Sequence, residues 1–185
     1  LEGTKSDQHQ QLANAVPPLL GFAIARHIKK HLAGYGKTAK KKKAVPDDAL
    51  RFIDLFSGIG GFRVALEKAH CRCVFSSEND PWASETYAKN FHEIPAGDIT
   101  KIDEKNIPSH DILCAGFPCQ PFSIGGHRKG FEDARGTLFF HVARILAAKK
   151  PSAFILENVP GITTHDGGNT IETIRKVLDD VGYEI

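Results

Sequence analysis

From residue 51 to the end of the chain, short apolar runs alternate with amphipathic ones, and turn residues separate them. "RFIDLF" (51–56), "CVFSSE" (73–78), "HDILCAG" (110–116) and "SAFILENV" (152–159) read as strands. "GGFRVALEKA" (60–69), "PWASETYAKNF" (81–91), "TLFFHVARILAAKK" (137–150) and "TIETIRKVLDDVG" (170–182) read as helices. In the last, Ile171, Ile174, Leu178 and Val181 share one face and Gly182 caps it; "YEI" then begins another strand. Parallel strands need a crossover between them, and a helix supplies one. The alternation therefore predicts an α/β fold: a doubly wound, mostly parallel sheet with helices on both faces.

The first fifty residues read differently. Residues 1–10 are polar and read as a disordered end. "NAVPPLLGFAIARHIKKHL" (14–32) reads as a helix opening near Pro17 and Pro18, with Leu20, Ile24, Ile28 and Leu32 on one face. His27 and His31 are four apart, but no third ligand accompanies them, so they read as solvated. "GYGKTAKKKKAVPDD" (34–48) has the composition of a linker. The expected organisation is a helical segment over 1–33, a linker over 34–50 and a cofactor-binding and catalytic domain over 51–185.

Charge sets limits on partners. Residues 1–50 carry nine Lys/Arg against four Asp/Glu, whereas residues 51–185 carry fifteen against eighteen. The larger part is not a basic nucleic-acid platform as a whole, so any phosphate binding must come from local patches or from another segment. No apolar run approaches the roughly 20 residues of a membrane span, and no signal peptide is visible, so the expected location is cytoplasmic, with no membrane partner. The cysteines Cys71, Cys73, Cys114 and Cys119 have no zinc-ribbon spacing, so neither a metal site nor disulfides are expected. The lack of any methionine and the opening at Leu1-Glu2-Gly3 read as a fragment.

"DLFSGIGGF" (54–62) joins the first strand to the first helix. Its glycines permit a tight turn and close ligand approach. Glu78 ends the second strand twenty residues after Gly58, where a carboxylate can accept both ribose hydroxyls of an adenosine. Asp98, in "GDIT" (97–100), reads either as an acceptor for the adenine amino group or as a turn residue. Dehydrogenases and methyltransferases share this much.

Cys119 separates them. It lies just past the third strand, and Pro118 and Pro121 fix the backbone around it. A thiol held on so rigid a loop is a candidate nucleophile. Glu157 and Asn158 end the next strand, beside that loop. A carboxyl with a raised pKa there can protonate a ring nitrogen. Thiol, acid and adenosine pocket fit methylation of carbon 5 of cytosine: the thiolate adds to carbon 6 and the acid protonates N3, which makes carbon 5 enamine-like. A stacked base is out of reach, so it must flip out of the duplex.

"FIDLFSGIGGF", "GDIT", "GFPCQPFS", "GFEDARGTLFF" and "LENV" resemble the DNA (cytosine-5)-methyltransferase family, as found in bacterial restriction-modification systems. The resemblance implies a Rossmann-like fold, S-adenosyl-L-methionine as cofactor and double-stranded DNA as partner, with the protein nucleoid-associated. It implies Cys119 as nucleophile, Glu157 on the cytosine N3 and amino group, and Asn158 as loop support. Gln120 and Ser123 belong to the catalytic loop, with Arg128 and Lys129 on phosphate. Phe56, Ser57, Gly58, Gly60, Gly61, Glu78, Asn79, Asp98, Ile99 and Pro118 would form the cofactor site.

The chain also departs from the family pattern. Asn79 stands where a large apolar residue usually packs on adenine, with Trp82 three further on. "QLANAVPPLLGFAIARHI" (11–28) resembles the family's last motif, yet comes first; its Asn14 and Val16 would serve the cofactor site, and Ala13 replaces the usual glycine. The order therefore reads as circularly permuted. The arginine-rich motif and the target-recognition domain are not found, which implies a complementary polypeptide or segment carrying them. The competing readings are an inactive S-adenosylmethionine-binding module that works only with such a partner, and a nicotinamide dehydrogenase, in which Cys119 has no role.

Overall fold

The computed structural model describes residues 1–35, 49–118 and 138–184, with side chains for all of them except 33–35. Four strands, β1 (Arg51–Leu55), β2 (Arg72–Ser77), β3 (Ile112–Gly116) and β4 (Ala153–Glu157), form one parallel sheet in the order β2-β1-β3-β4. The helices are α1 (Lys5–Ala13), α2 (Pro18–Tyr35), α3 (Gly61–Lys68), α4 (Pro81–Phe91), α5 (Leu138–Lys149) and α6 (Asn169–Val181). Among the described residues, no helix is long and apolar enough to cross a membrane.

Strand periodicity divides the core in two. Phe52, Ile112 and Cys114 point to one face, where α3 brings Phe62, Ala65 and Leu66 and α2 brings Ala25. Ile53, Leu55, Leu113 and Ala115 point to the other, against Phe139, Val142, Ile145 and Leu146 of α5 and Ile174, Val177 and Leu178 of α6. Each large apolar side chain so buried contributes about 1.5–3 kcal/mol. The chain runs outward from β1 to β2, then crosses back over β1 to β3. The connections leaving β1 and β3 therefore diverge and open a crevice at their carboxyl ends, where open α/β sheets bind ligands.

Three expectations need correction. Residues 1–10 are not a loose end. Thr4 and Asp7 form a reciprocal capping box that starts α1, and Gln11 exchanges hydrogen bonds with the Glu2 carbonyl and the Thr86 hydroxyl on α4. In α2 the face against α3 centres on Gly21 and Ala25, while Leu20 is 56% exposed. Small residues face α3 because a Cβ on Gly21 would come within 2.8 Å of the Ala65 Cβ; of the predicted stripe, Ile24 and Ile28 do pack against the core, and Leu20 does not. Tyr183 and Glu184 form no strand; the Tyr183 hydroxyl donates to the Pro151 carbonyl and its ring meets Phe154 edge-on. The predicted cap at Gly182 is present, at φ 100°.

One buried residue fits neither core. Asp54 is fully buried in β1, on the face shared with Cys114. Among the described residues neither carboxyl oxygen makes a hydrogen bond of good geometry; burial pushes its pKa well above the usual carboxylate range, only partly opposed by the Arg63 backbone N–H. Nearby, the nearly buried Arg63 of α3 donates to Glu67, Tyr87 and Glu93 and lies over the Phe91 ring, tying α4 to α3.

Candidate active site

The carboxyl ends of all four strands open into a cavity of about 790 Å³, within the roughly 300–1,000 Å³ usual for small-molecule sites. The turn after β1 forms its floor. Phe56 takes a left-handed conformation at φ 54°, which costs a non-glycine residue about 1–3 kcal/mol and is found where a site demands it. Gly58 follows, and its N–H donates 2.7 Å to Glu78 Oε2, while the Asp80 N–H donates 2.8 Å to Oε1. Each carboxylate oxygen keeps a free lone pair, so Glu78 can still accept two hydroxyls. Glu78 is thus aimed by backbone on both sides.

The remaining members of the glycine turn stand behind the cavity. Ser57 is buried, with its N–H on the Ser77 carbonyl. Gly60, at φ 92°, leaves room for the Phe91 ring, which a Cβ would overlap. Gly61 admits the chain of the amino-terminal segment: a Cβ there would lie 2.5 Å from the Val16 carbonyl oxygen. Val16 therefore acts through the glycine turn, while Asn14 lines the cavity directly, with Asp7, Gln10 and Gln11 of α1.

Gly97, Asp98 and Ile99 form the side near β2. The Ser77 hydroxyl holds the Gly97 carbonyl at 2.6 Å. Asp98 caps a 3-10 turn: its Oδ1 accepts the N–H and hydroxyl of Thr100, and the Thr100 hydroxyl contributes most to holding its pKa below the usual range. Asn79 also lines the cavity, but Trp82 does not; it packs near Gly3.

Gly116, Phe117 and Pro118 lead from β3 into the opposite side. Gly116 pairs with Glu157 in register, and a Cβ on Gly116 would lie 3.2 Å from Glu157 Oε2. Glycine here lets the carboxyl stand close to the root of the loop. Burial raises the Glu157 pKa above the usual value, as suits a proton donor. The Asn158 side-chain amide donates 2.6 Å to the Phe117 carbonyl, and its oxygen accepts the Val159 N–H. The end of β4 thus grips the chain two residues before Cys119. Cys119, Gln120, Ser123, Arg128 and Lys129 lie outside the described residues.

The cavity thus gathers Asn14, Phe56, Gly58, Glu78, Asn79, Asp98, Ile99, Pro118, Glu157 and Asn158. Sequence reasoning missed Phe117, Leu138 and the polar face of α1, which also line it; the "SDQHQ" run of α1 (6–10) carries no apolar periodicity to mark it. Among the described residues, no group of three or more His, Cys, Asp or Glu could hold a metal ion.

Residues 50–185 match the family described as C-5 cytosine-specific DNA methylase. The type II methyltransferase M.HhaI of Haemophilus parahaemolyticus is 58% identical over 134 residues, covering 72% of this chain and 41% of that protein. M.MspI of Moraxella sp. is 51% identical over 157 residues, covering 84% and 37%. The chain therefore spans about two-fifths of the length of these curated relatives. Among solved structures, a putative DNA modification methyltransferase from an E. coli prophage superposes with a TM-score of 0.56 at 26% identity, covering 71% of this chain and 38% of the other. The Dnmt2 methyltransferase of S. pombe gives 0.54 at 26% identity, covering 74% and 42%.

Proposed function

This chain belongs to the C-5 cytosine-specific DNA methylase family, and from that premise we propose that it is the cofactor-binding and catalytic part of an enzyme that methylates carbon 5 of cytosine in double-stranded DNA. S-adenosyl-L-methionine, the cofactor of the family, supplies an electrophilic methyl group when bound. The residues present fit it: Glu78 has lone pairs left for a ribose, Asp98 is an ionised acceptor suited to an amino group, and Asn14 faces the same space. Phe56, Gly58, Asn79, Ile99 and Pro118 complete the lining, with Ser57, Gly60, Gly61 and Val16 holding the turn from behind.

The observation that carries this reading is the pair at the end of β4. Glu157, its pKa raised by burial, faces the cavity, and Asn158 anchors the backbone that leads to Cys119. In the proposed reaction the Cys119 thiolate bonds to carbon 6 of a flipped-out cytosine while Glu157 gives its proton to N3. Carbon 5 then takes the methyl group. Water acting as base then takes the carbon 5 proton, the carbon 6–sulfur bond breaks to release the thiolate, and N3 returns its proton to Glu157, which restores the ring. Gln120 and Ser123 shape the loop around the base, and Arg128 and Lys129 meet DNA phosphate.

The span of about two-fifths of its relatives supports a second feature of the proposal: a complementary polypeptide or segment supplies target recognition, and this chain without it is an S-adenosylmethionine-binding module. Residues 1–33 take the part of the family's closing motif in permuted order, and 34–50 link them to the catalytic domain.

The test is a covalent trap. DNA carrying 5-fluorocytosine is mixed with S-adenosylmethionine, the chain and the recognition part of a relative. Fluorine cannot leave carbon 5 as a proton does, so a Cys119 adduct accumulates. A denaturation-resistant complex that Cys119→Ser abolishes is the expected result. A complex of equal yield with Cys119→Ser overturns the proposed chemistry.

A further inference from the structure

Asp98 sits in a segment that belongs to no strand or α-helix, between α4 and β3, yet its carboxylate must point accurately to select a ligand. Two clamps hold it. On the β2 side the Ser77 hydroxyl grips the Gly97 carbonyl. On the other side the clamp is Arg144, one residue of α5 with no motif around it. Its Nη2 donates to the carbonyls of both Ile99 and Ile102, each at 2.8 Å, and its Nη1 donates to Glu104 at 2.6 Å. Its Nε donates to His141 Nδ1 at 3.2 Å, which fixes the plane of the guanidinium from its own helix. All three nitrogens are engaged, and the fork spans the 3-10 turn Ile99–Lys101 that Asp98 caps.

The carbonyls concerned have few other partners. Ile99 O receives only a long 3.3 Å bond from the Ile102 N–H within the turn, so the guanidinium supplies its short one. A buried or half-buried carbonyl without a donor costs stability, and a planar fork satisfies two at once where a single ammonium cannot. The Ile99 side chain is buried in the core beneath, which fixes the depth of the turn but not its rotation. Thr100 and Lys101 hold the Asp98 carboxylate itself, and Arg144 holds the backbone of the turn that carries all three.

We propose that Arg144 is a positioning residue that sets the preference of this cavity for an aminopurine over the corresponding ketopurine, acting through Asp98. The inference rests on the reading of the cavity as an S-adenosylmethionine site. An ionised carboxylate only accepts hydrogen bonds, so it welcomes the adenine amino group and repels the carbonyl oxygen of hypoxanthine. That discrimination depends on orientation, which a merely stabilising arginine does not affect selectively.

The experiment is calorimetric titration of the purified 185-residue chain with S-adenosylhomocysteine and with its deaminated counterpart S-inosylhomocysteine. The native chain is expected to prefer the first by roughly ten- to a hundredfold, the scale of a hydrogen bond to a charged, partly exposed acceptor. Arg144→Ala shrinks that ratio by about tenfold through weaker binding of the adenosyl ligand, with the inosyl ligand nearly unchanged. Arg144→Lys, which keeps a charge for Glu104 but loses the fork, gives an intermediate ratio; if Arg144→Ala does not fold, this variant decides. Equal weakening of both ligands, with the ratio intact, overturns the role of Arg144 alone. Failure of the native chain to bind either ligand overturns the cofactor reading and this inference with it.

Discussion

The two walls of the cavity are built by different physics. The wall made by the strand ends is polar and backbone-bonded: Glu78 is held by two N–H groups, Asp98 by Thr100, and Phe117 by Asn158. The wall made by α1 and the residues just after it is tied to α4 through Gln11 and Thr86, but against the glycine turn and α3 the amino-terminal segment is seated by close packing of small residues, Gly61 on the Val16 backbone and Gly21 on Ala65. Hydrogen bonds fix direction, which ligand recognition and catalysis require. Small-residue packing fixes distance and is intolerant of one added carbon.

The most severe way to break this contrast is Gly61→Ala. Its Cβ meets a backbone carbonyl, which cannot rotate away, so the amino-terminal segment must shift. We expect a loss of roughly 1–3 kcal/mol in urea unfolding and at least about tenfold weaker S-adenosylmethionine binding by calorimetry. Unchanged binding would mean that the strand-end wall suffices alone.

Asn158→Ala tests the polar wall. It leaves the Phe117 carbonyl without its short bond, so single-turnover methyl transfer, measured with the recognition part present, should fall about tenfold or more. Cofactor affinity should stay nearly constant, because Asn158 touches the loop rather than the adenosine end. A proportionate loss of cofactor binding would show that the two ends of the wall are not independent.

Gly21→Ala is milder, since it meets a side-chain methyl rather than backbone. A loss of about 1 kcal/mol is expected, and Ala65→Gly in the same chain should recover much of it in thermal unfolding. Absence of recovery would place the cost elsewhere in α2.

The smallest effect concerns Asp54, buried within β1. Its folded pKa is raised by burial above the ordinary 3.8, so folding favours the neutral acid. Its contribution is fully present below pH 3.8 and is lost as pH rises through the folded value. Asp54→Asn should therefore gain on the native chain in denaturant midpoint as pH rises from acid toward neutrality. A difference that stays flat with pH would show the carboxyl to be paired.

Much of this was readable from residue order. Helix α6 emerged with its apolar face and glycine cap because periodicity and capping are local properties. Glu78 was found because it follows a strand on the ligand-binding edge; Asp98 ends no strand but caps a 3-10 turn, so only its short motif marked it. Reading failed where the signal was not local. Leu20 looked interior by spacing, yet only the glycine contact with Ala65 decides which side of α2 meets α3. Residues 1–10 looked disordered by polarity, yet Gln11 finds its partner Thr86 on α4. Arg144 carried no mark, because the carbonyls it bonds to lie 45 and 42 residues away.

By itself the sequence determined the alternation of strands and helices, the parallel sheet that follows from it, and the identity of the acidic groups on its edge. These follow from periodicity, turn chemistry and the crossover that parallel strands require. Only the tertiary structure decided that the amino-terminal segment lines the cavity, that burial raises the Glu157 pKa, and that Asn158 and Arg144 bond to backbone carbonyls far along the chain. Burial, close approach and hydrogen-bond partnership are relations between distant residues, and they exist only once the chain has folded.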